Sequence, residues 1–163
     1  MAFGVLTGAA AAQPALHCTL SVPDALAAGQ PVPLTMTLQN PGTQTVFLLR
    51  WGTPFEARWL GASFRLDRNG ALLPYRGPQA KRGDPDAAQY LVLPAGAQAS
   101  ATLDLALVFD LSAPGHYRLR GPWQVHDVFI ATQGPPPRPR AQFSPQDLPC
   151  PTLGWTLSAR PGP

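Results

Sequence analysis

A chain of 163 residues is long enough for one domain with a buried core, and 45% hydrophobic residues set it apart from disordered sequences despite 21 prolines and 15 glycines. Only 13% of residues are charged, well below the usual quarter. The net charge of +3 is small and dispersed, which argues against nucleic acid or an anionic membrane as partner.

The chain opens on a weakly apolar run, Ala2 to Ala12, ending in Ala10-Ala11-Ala12, a small-residue pattern that suits signal peptidase. No Lys or Arg precedes it. The expectation is a leader over residues 1–12 and a secreted or periplasmic protein starting near Gln13. Leu16-His17-Cys18 lacks the small residue a lipoprotein site needs before its cysteine. No run is long enough to span a membrane.

Leu16 to Val22 alternates apolar and polar residues, the period of a half-buried strand. Pro33 to Gln39 alternates again, with Leu34, Met36 and Leu38 on one face, and Asn40-Pro41-Gly42 turns the chain. Thr45 to Leu49 is apolar on both faces, as a central strand should be. Trp51 to Phe55 breaks that strand. Ser63 to Arg68 places Phe64 and Leu66 inward, and Asn69-Gly70 is the strongest two-residue hairpin signal in the chain, returning through Ala71 to Tyr75.

The loop Tyr75 to Pro85 follows. Lys81 and Arg82 stand side by side between Gly77-Pro78 and Gly83-Asp84-Pro85, and these punctuating residues keep the segment out of helix and central strand. Exposed loops of this kind on a strand scaffold carry function more often than cores do. Tyr75, Lys81, Arg82, Gly83 and Asp84 are therefore the candidate partner-binding residues. The plain alternatives are a solvated turn, or a loop packed back on its own domain with Arg82 paired to Asp84 or Asp86.

Gln89 to Leu93 and Ala99 to Leu105 read as strands around the Pro94-Ala95-Gly96 turn. Gly115-His116-Tyr117 opens the next strand with the pattern of a tyrosine corner, in which the phenol bonds back to upstream backbone. Val125 to Ala131 reads as one further strand. Gly134 to Arg140 is a Pro-rich connector expected to be extended and mobile. Leu153 to Ser158 is a last strand.

About seven to nine short strands separated by turn signals, with no amphipathic helix, predict an all-β fold, an immunoglobulin-like antiparallel β-sandwich. Residues 13–133 form the sandwich, and 134–163 a C-terminal segment. Cys18 and Cys150 are too far apart for a redox or zinc motif. In an exported chain they pair and tie the first strand to the C-terminal segment; otherwise they are two separate buried thiols.

Catalytic signatures are missing. The sequence has no His-Glu-x-x-His run, no Gly-x-Ser-x-Gly, no phosphate loop and no dinucleotide glycine pattern. His17, His116 and His126 are scattered, and His126 and Asp127 point to opposite faces if they share a strand. The expectation is a non-enzyme with no catalytic residues, metal site or cofactor.

The ordered motifs Asn40-Pro41, Trp51-Gly52-Thr53-Pro54, Arg68-Asn69-Gly70, Pro74-Tyr75-Arg76-Gly77, Lys81-Arg82, Leu93-Pro94-Ala95-Gly96 and Asp110-Leu111-Ser112-Ala113-Pro114-Gly115-His116-Tyr117 carry a resemblance. Over roughly residues 33 to 120 the chain resembles the N-terminal propeptide domain of the deuterolysin-like, peptidyl-Lys metalloendopeptidases, the aspzincins. The zinc-binding His-Glu-x-x-His of that family's protease domain is missing. The resemblance implies a free-standing propeptide that inhibits or helps fold a zinc metalloprotease in trans. It also implies that Lys81 or Arg82 is offered to the acidic pocket of a Lys-selective peptidase. The alternative is a general secreted binding module for another protein or a glycan, which exposed Trp51, Trp59, Trp123 or Trp155 would favour.

Overall fold

The computed structural model describes residues 13–162; the expected leader, residues 1–12, lies outside the described residues. In chain order the strands are β1 (His17–Ser21), β2 (Pro33–Gln39), β3 (Val46–Leu49), β4 (Arg65–Arg68), β5 (Ala71–Leu72), β6 (Tyr90–Leu93), β7 (Gln98–Asp104), β8 (Gly115–Arg120), β9 (Trp123–Val125), β10 (Val128–Ile130), β11 (Gln146–Leu148) and β12 (Leu153–Leu157). They form sheets in the orders β1-β2-β7, β10-β3-β6, β12-β8-β4-β5 and the pair β11-β9. Every strand pairing is antiparallel; one isolated parallel bridge joins Ala27 to Ser158. The helical turns among the described residues are all short 3-10 turns.

β2 shows how the sequence builds a layer. Leu34, Met36 and Leu38 are fully buried, while Thr35 and Thr37 face outward and bond hydroxyl to hydroxyl with Thr102 (2.8 Å) and Ser100 (2.6 Å) of β7. The two-residue period thus puts an apolar face inward and an uncharged Ser/Thr face outward. β3, apolar on both faces, is central between β10 and β6. The inner faces meet in one core cluster, where the Phe64 ring stacks on Trp123 at 4.3 Å and also packs against Trp59 and Phe109. This is the immunoglobulin-like all-β sandwich, built from shorter and more numerous strands than the alternation predicts.

The local turn chemistry is met. Asn69 (φ 50°) and Gly70 (φ 84°) close the β4–β5 hairpin in the left-handed region. Asn69 is also fastened to β8: its N–H donates to the His116 carbonyl (2.8 Å), and its Oδ1 accepts from the His116 N–H (2.9 Å). The Tyr117 hydroxyl donates to the Ala113 carbonyl at 2.6 Å, a tyrosine corner. Cys18 on β1 is disulfide-bonded to Cys150, 132 residues away.

Asn40 does more than turn the chain. It is buried, and its Nδ2 donates to the Gln44 and Leu93 carbonyls at 2.7 and 2.9 Å. The end of β2 is thereby joined to the neighbouring sheet at β6.

Three expectations need correction. β5 is only two residues long, since Pro74 has no N–H to continue the ladder. The single strand expected over Val125–Ala131 is two strands in different sheets: β9 pairs with β11 and β10 with β3. The break falls at His126-Asp127, where the Asp127 carboxylate turns wholly inside to meet three partners. The Pro-rich connector is anchored rather than mobile, because Arg138 is one of those partners. Beyond it, β11 and β12 join the sheets, so the C-terminal segment contributes structure as well as its disulfide.

Candidate functional site

The loop 75–85 lies over Trp51 at one end of the sandwich. Its first half is closed by backbone and ring contacts. The Tyr75 hydroxyl donates to the Pro78 carbonyl (2.7 Å), the Arg76 N–H to Val108 (2.7 Å), and the Ala80 N–H to Leu60 (3.0 Å). Gly77 is required by space: a Cβ there would sit 2.5 Å from the Tyr75 hydroxyl and from Val108 Cγ1. Burial raises the Tyr75 phenol above its ordinary pKa, and its ring packs edge-on against Phe109. Tyr75 is thus a brace for the loop.

The second half holds the two cations, and the fold separates them. Lys81 is exposed and forms no ion pair among the described residues. Arg82 turns inward. Its guanidinium meets Glu56 at 2.5 Å and lies 4.7 Å from the centre of the Trp51 ring. Expected either as an exposed contact or as the partner of Asp84 or Asp86, Arg82 instead binds a carboxylate 26 positions upstream that no local spacing signals. Glu56 is positioned by the 3-10 turn Pro54–Glu56, which Thr53 caps through its hydroxyl, and its second oxygen accepts the Gly52 N–H at 2.9 Å. Gly83 is exposed. Asp84 accepts the Arg140 N–H at 2.9 Å, and the Arg140 guanidinium donates to the Arg82 carbonyl at 2.8 Å. Of the five candidate residues, the structure leaves Lys81 and Gly83 free of internal side-chain duties and gives Tyr75, Arg82 and Asp84 structural ones.

Around Arg82 gather residues that the sequence does not connect. Trp51 makes edge contacts with His126 (6.0 Å) and Phe143 (5.9 Å). Burial, reinforced by the nearby Arg82 and Arg140 charges, holds the His126 imidazole below its ordinary pKa. Two cavities flank Arg82. One, of about 240 Å³, is walled by Arg50, Trp51, Glu56, Arg58 and Leu60. The other, of about 360 Å³, is walled by Trp51, Gly61, Ser63, Gln79, Gln124 and His126.

Behind this end lies the network that holds the C-terminal segment. Asp127 is fully buried. It accepts from the Tyr90 hydroxyl (2.8 Å), the Ser144 N–H (2.8 Å) and both arms of Arg138, whose guanidinium also covers the Phe129 ring at 4.0 Å. Burial and this bond to Asp127 push the Tyr90 phenol far above its ordinary pKa. No sequence signal singles Asp127 out, since a carboxylate next to a histidine on a strand reads as surface.

Among the described residues no three His, Cys, Asp or Glu side chains come together in a way that could hold a metal ion. His17 and His116 stand exposed on β1 and β8, and His126, its ring partly desolvated, lies in the break between β9 and β10, so the three sit apart. Trp51, Trp59 and Trp123 are buried, and Trp155 is half-buried and stacked on Tyr117, so the stacking platforms that would favour a glycan are lacking among the described residues. No described helix is long and apolar enough to cross a membrane.

No protein-family model matches the chain. It is 32% identical over 89 residues, 55% of its length, to an extracellular protease of Aeromonas hydrophila, and spans about a quarter (25%) of that relative's length. Similar solved structures include the CARDB domain of a Pyrococcus furiosus protein in complex with di-metal ions (TM-score 0.37, 11% identity, 98% of this chain and 100% of that one). A PapD-like domain of human CEP192 is similar at TM-score 0.40 and 11% identity, covering 99% of each chain. Both structural likenesses are too shallow to carry function.

Proposed function

We propose that this chain is an extracytoplasmic, non-enzymatic binding domain that engages a protease, in the manner of a metalloprotease propeptide acting as inhibitor or folding helper. The observation that carries the reading is the state of Lys81, an exposed and unpaired cation on a loop whose two shoulders are fixed. Tyr75, Gly77 and the Ala80–Leu60 bond hold one shoulder; Arg82 on Glu56 and Asp84 on Arg140 hold the other. Such a loop loses little conformational freedom on docking, and its charge suits the acidic pocket of a Lys-selective peptidase.

Two further findings support it. The chain is similar to part of an extracellular protease. The Cys18–Cys150 disulfide belongs to an oxidising compartment, consistent with a secreted or periplasmic location. The aspzincins are the protease class proposed, on the motif resemblance between residues 33 and 120.

The test is titration of a purified Lys-specific aspzincin with the wild-type protein and with Lys81→Ala. Inhibition that is lost in Lys81→Ala places the contact in the loop. Inhibition unchanged by the substitution moves the contact to another surface. Absence of any binding at micromolar protein ends the protease reading.

A further inference from the structure

We infer that the Lys81–Arg82 peptide bond is a built-in cutting site: a lysine-selective serine endopeptidase opens it slowly, and the two halves stay together as one folded, disulfide-linked protein. The inference shares Lys81 with the protease reading above but needs no aspzincin, so either can fail without the other.

Lys81 is the chain's only lysine. It is exposed, and neither its N–H nor its carbonyl has a hydrogen-bond partner among the described residues. The side chain that a protease reads and the carbonyl that it attacks are thus both uncommitted. An acidic specificity pocket selects the ammonium. The serine hydroxyl adds to the Lys81 carbonyl carbon, the Arg82 nitrogen leaves with the hydroxyl's proton, and water hydrolyses the resulting ester. Lys81 then ends in a carboxylate and Arg82 begins with an ammonium.

Both neighbours of Lys81 are held, and by different elements. The Ala80 N–H donates to the Leu60 carbonyl at 3.0 Å. The Arg82 guanidinium sits on Glu56 at 2.5 Å, and the Arg82 carbonyl accepts from the Arg140 guanidinium at 2.8 Å. A loop held on both sides resists the deformation that an active site imposes, which slows cutting. After the cut the new ends stay side by side, because neither hold depends on the bond between them.

Nor are the halves free to separate. Strands β1 to β5 precede the bond and β6 to β12 follow it. Yet β2 pairs with β7, β3 with both β6 and β10, and β4 with β8. Each sheet of three or more strands is therefore built from both sides of the cut. The Cys18–Cys150 disulfide bridges it covalently. Opening one bond in an exposed loop leaves all of these contacts in place. A protease that takes Lys81 as a substrate residue gains no fragments, and the chain survives the encounter.

The experiment digests the intact, oxidised protein with lysyl endopeptidase under native conditions, beside the same protein reduced and denatured in urea. Mass spectrometry of the native protein should find one cut, after Lys81, that forms more slowly than in the denatured chain. The cut protein should give two bands on a reducing gel and one on a non-reducing gel. It should elute from gel filtration with the uncut protein and keep its cooperative urea transition and buried-tryptophan emission. Glu56→Gln frees the Arg82 side chain while leaving the residues at the cut unchanged, and Arg140→Ala, at an exposed position, frees the Arg82 carbonyl. Each variant should be cut roughly tenfold faster than wild type. Three results would each overturn the inference. One is a native protein still whole after about a hundred times the period that the denatured chain needs. The others are a cut product that loses its urea transition, and variants cut no faster than wild type.

Discussion

Arg140 locks Asp84 in place from the far end of the chain: its backbone N–H donates to the Asp84 carboxylate at 2.9 Å, while its side chain reaches the Arg82 carbonyl at 2.8 Å. The basic loop is therefore finished by the Pro-rich segment, and its order depends on that segment. Arg140→Ala should leave global stability within about 1 kcal/mol, because the contact is exposed, yet raise amide hydrogen exchange locally over residues 80–85. Unchanged exchange in those residues would show that the Arg140 guanidinium adds nothing to the hold of Arg82 on Glu56 and of the backbone bond to Asp84, which the substitution keeps.

Lys81 and Arg82 should separate cleanly on substitution. Lys81→Ala is expected to change stability by less than about 0.5 kcal/mol, as befits an exposed, unpaired residue. Arg82→Ala leaves Glu56 without its counter-charge and uncovers Trp51, and should cost about 2 kcal/mol. Urea denaturation of both variants checks this. Equal losses would mean that Arg82 is exposed in solution.

The Asp127 network should be the most sensitive polar position. Asp127→Asn removes the charge that neutralises Arg138 and is expected to destabilise the protein by about 3 kcal/mol or more. Limited proteolysis should then cut within residues 134–145, where the wild type is expected to resist. A variant as stable and as resistant as wild type would show that the C-terminal segment is held by the disulfide and β12 alone.

His126 gives the protein a pH dependence of known sign. Burial and the neighbouring arginines hold its folded pKa below the ordinary 6.5, so the unfolded chain takes up the proton first as pH falls. Stability from this residue is fully present above 6.5, declines as pH drops from 6.5 towards the folded value, and levels off below it. His126→Gln should flatten that portion of a stability-against-pH profile. A profile with the same slope in the variant would assign the effect to another group.

The disulfide spans 132 residues, and opening so long a loop in the unfolded state costs stability. On the chain-entropy account, Cys18→Ser with Cys150→Ser should lower stability by roughly 4–5 kcal/mol. Thermal unfolding with and without reductant measures it.

What the sequence determined on its own was most of the local turn and strand chemistry, although β5 stops at Leu72 and Val125–Ala131 is two strands. Alternation in Pro33–Gln39 put Leu34, Met36 and Leu38 inside, Asn69-Gly70 marked the hairpin, and Gly115-His116-Tyr117 announced the tyrosine corner, because each pattern acts over a few residues. The two cysteines also allowed only one internal pairing. Tertiary structure alone decided how charges were spent. Lys81 and Arg82 are adjacent and alike in sequence, yet one is solvated and the other sits between Glu56 and Trp51. Asp127, ordinary in the sequence, is buried among Tyr90, Arg138 and Ser144. The Coulomb and hydrogen-bond energies of such groups depend on burial and on partners distant in the chain, and no local period encodes either.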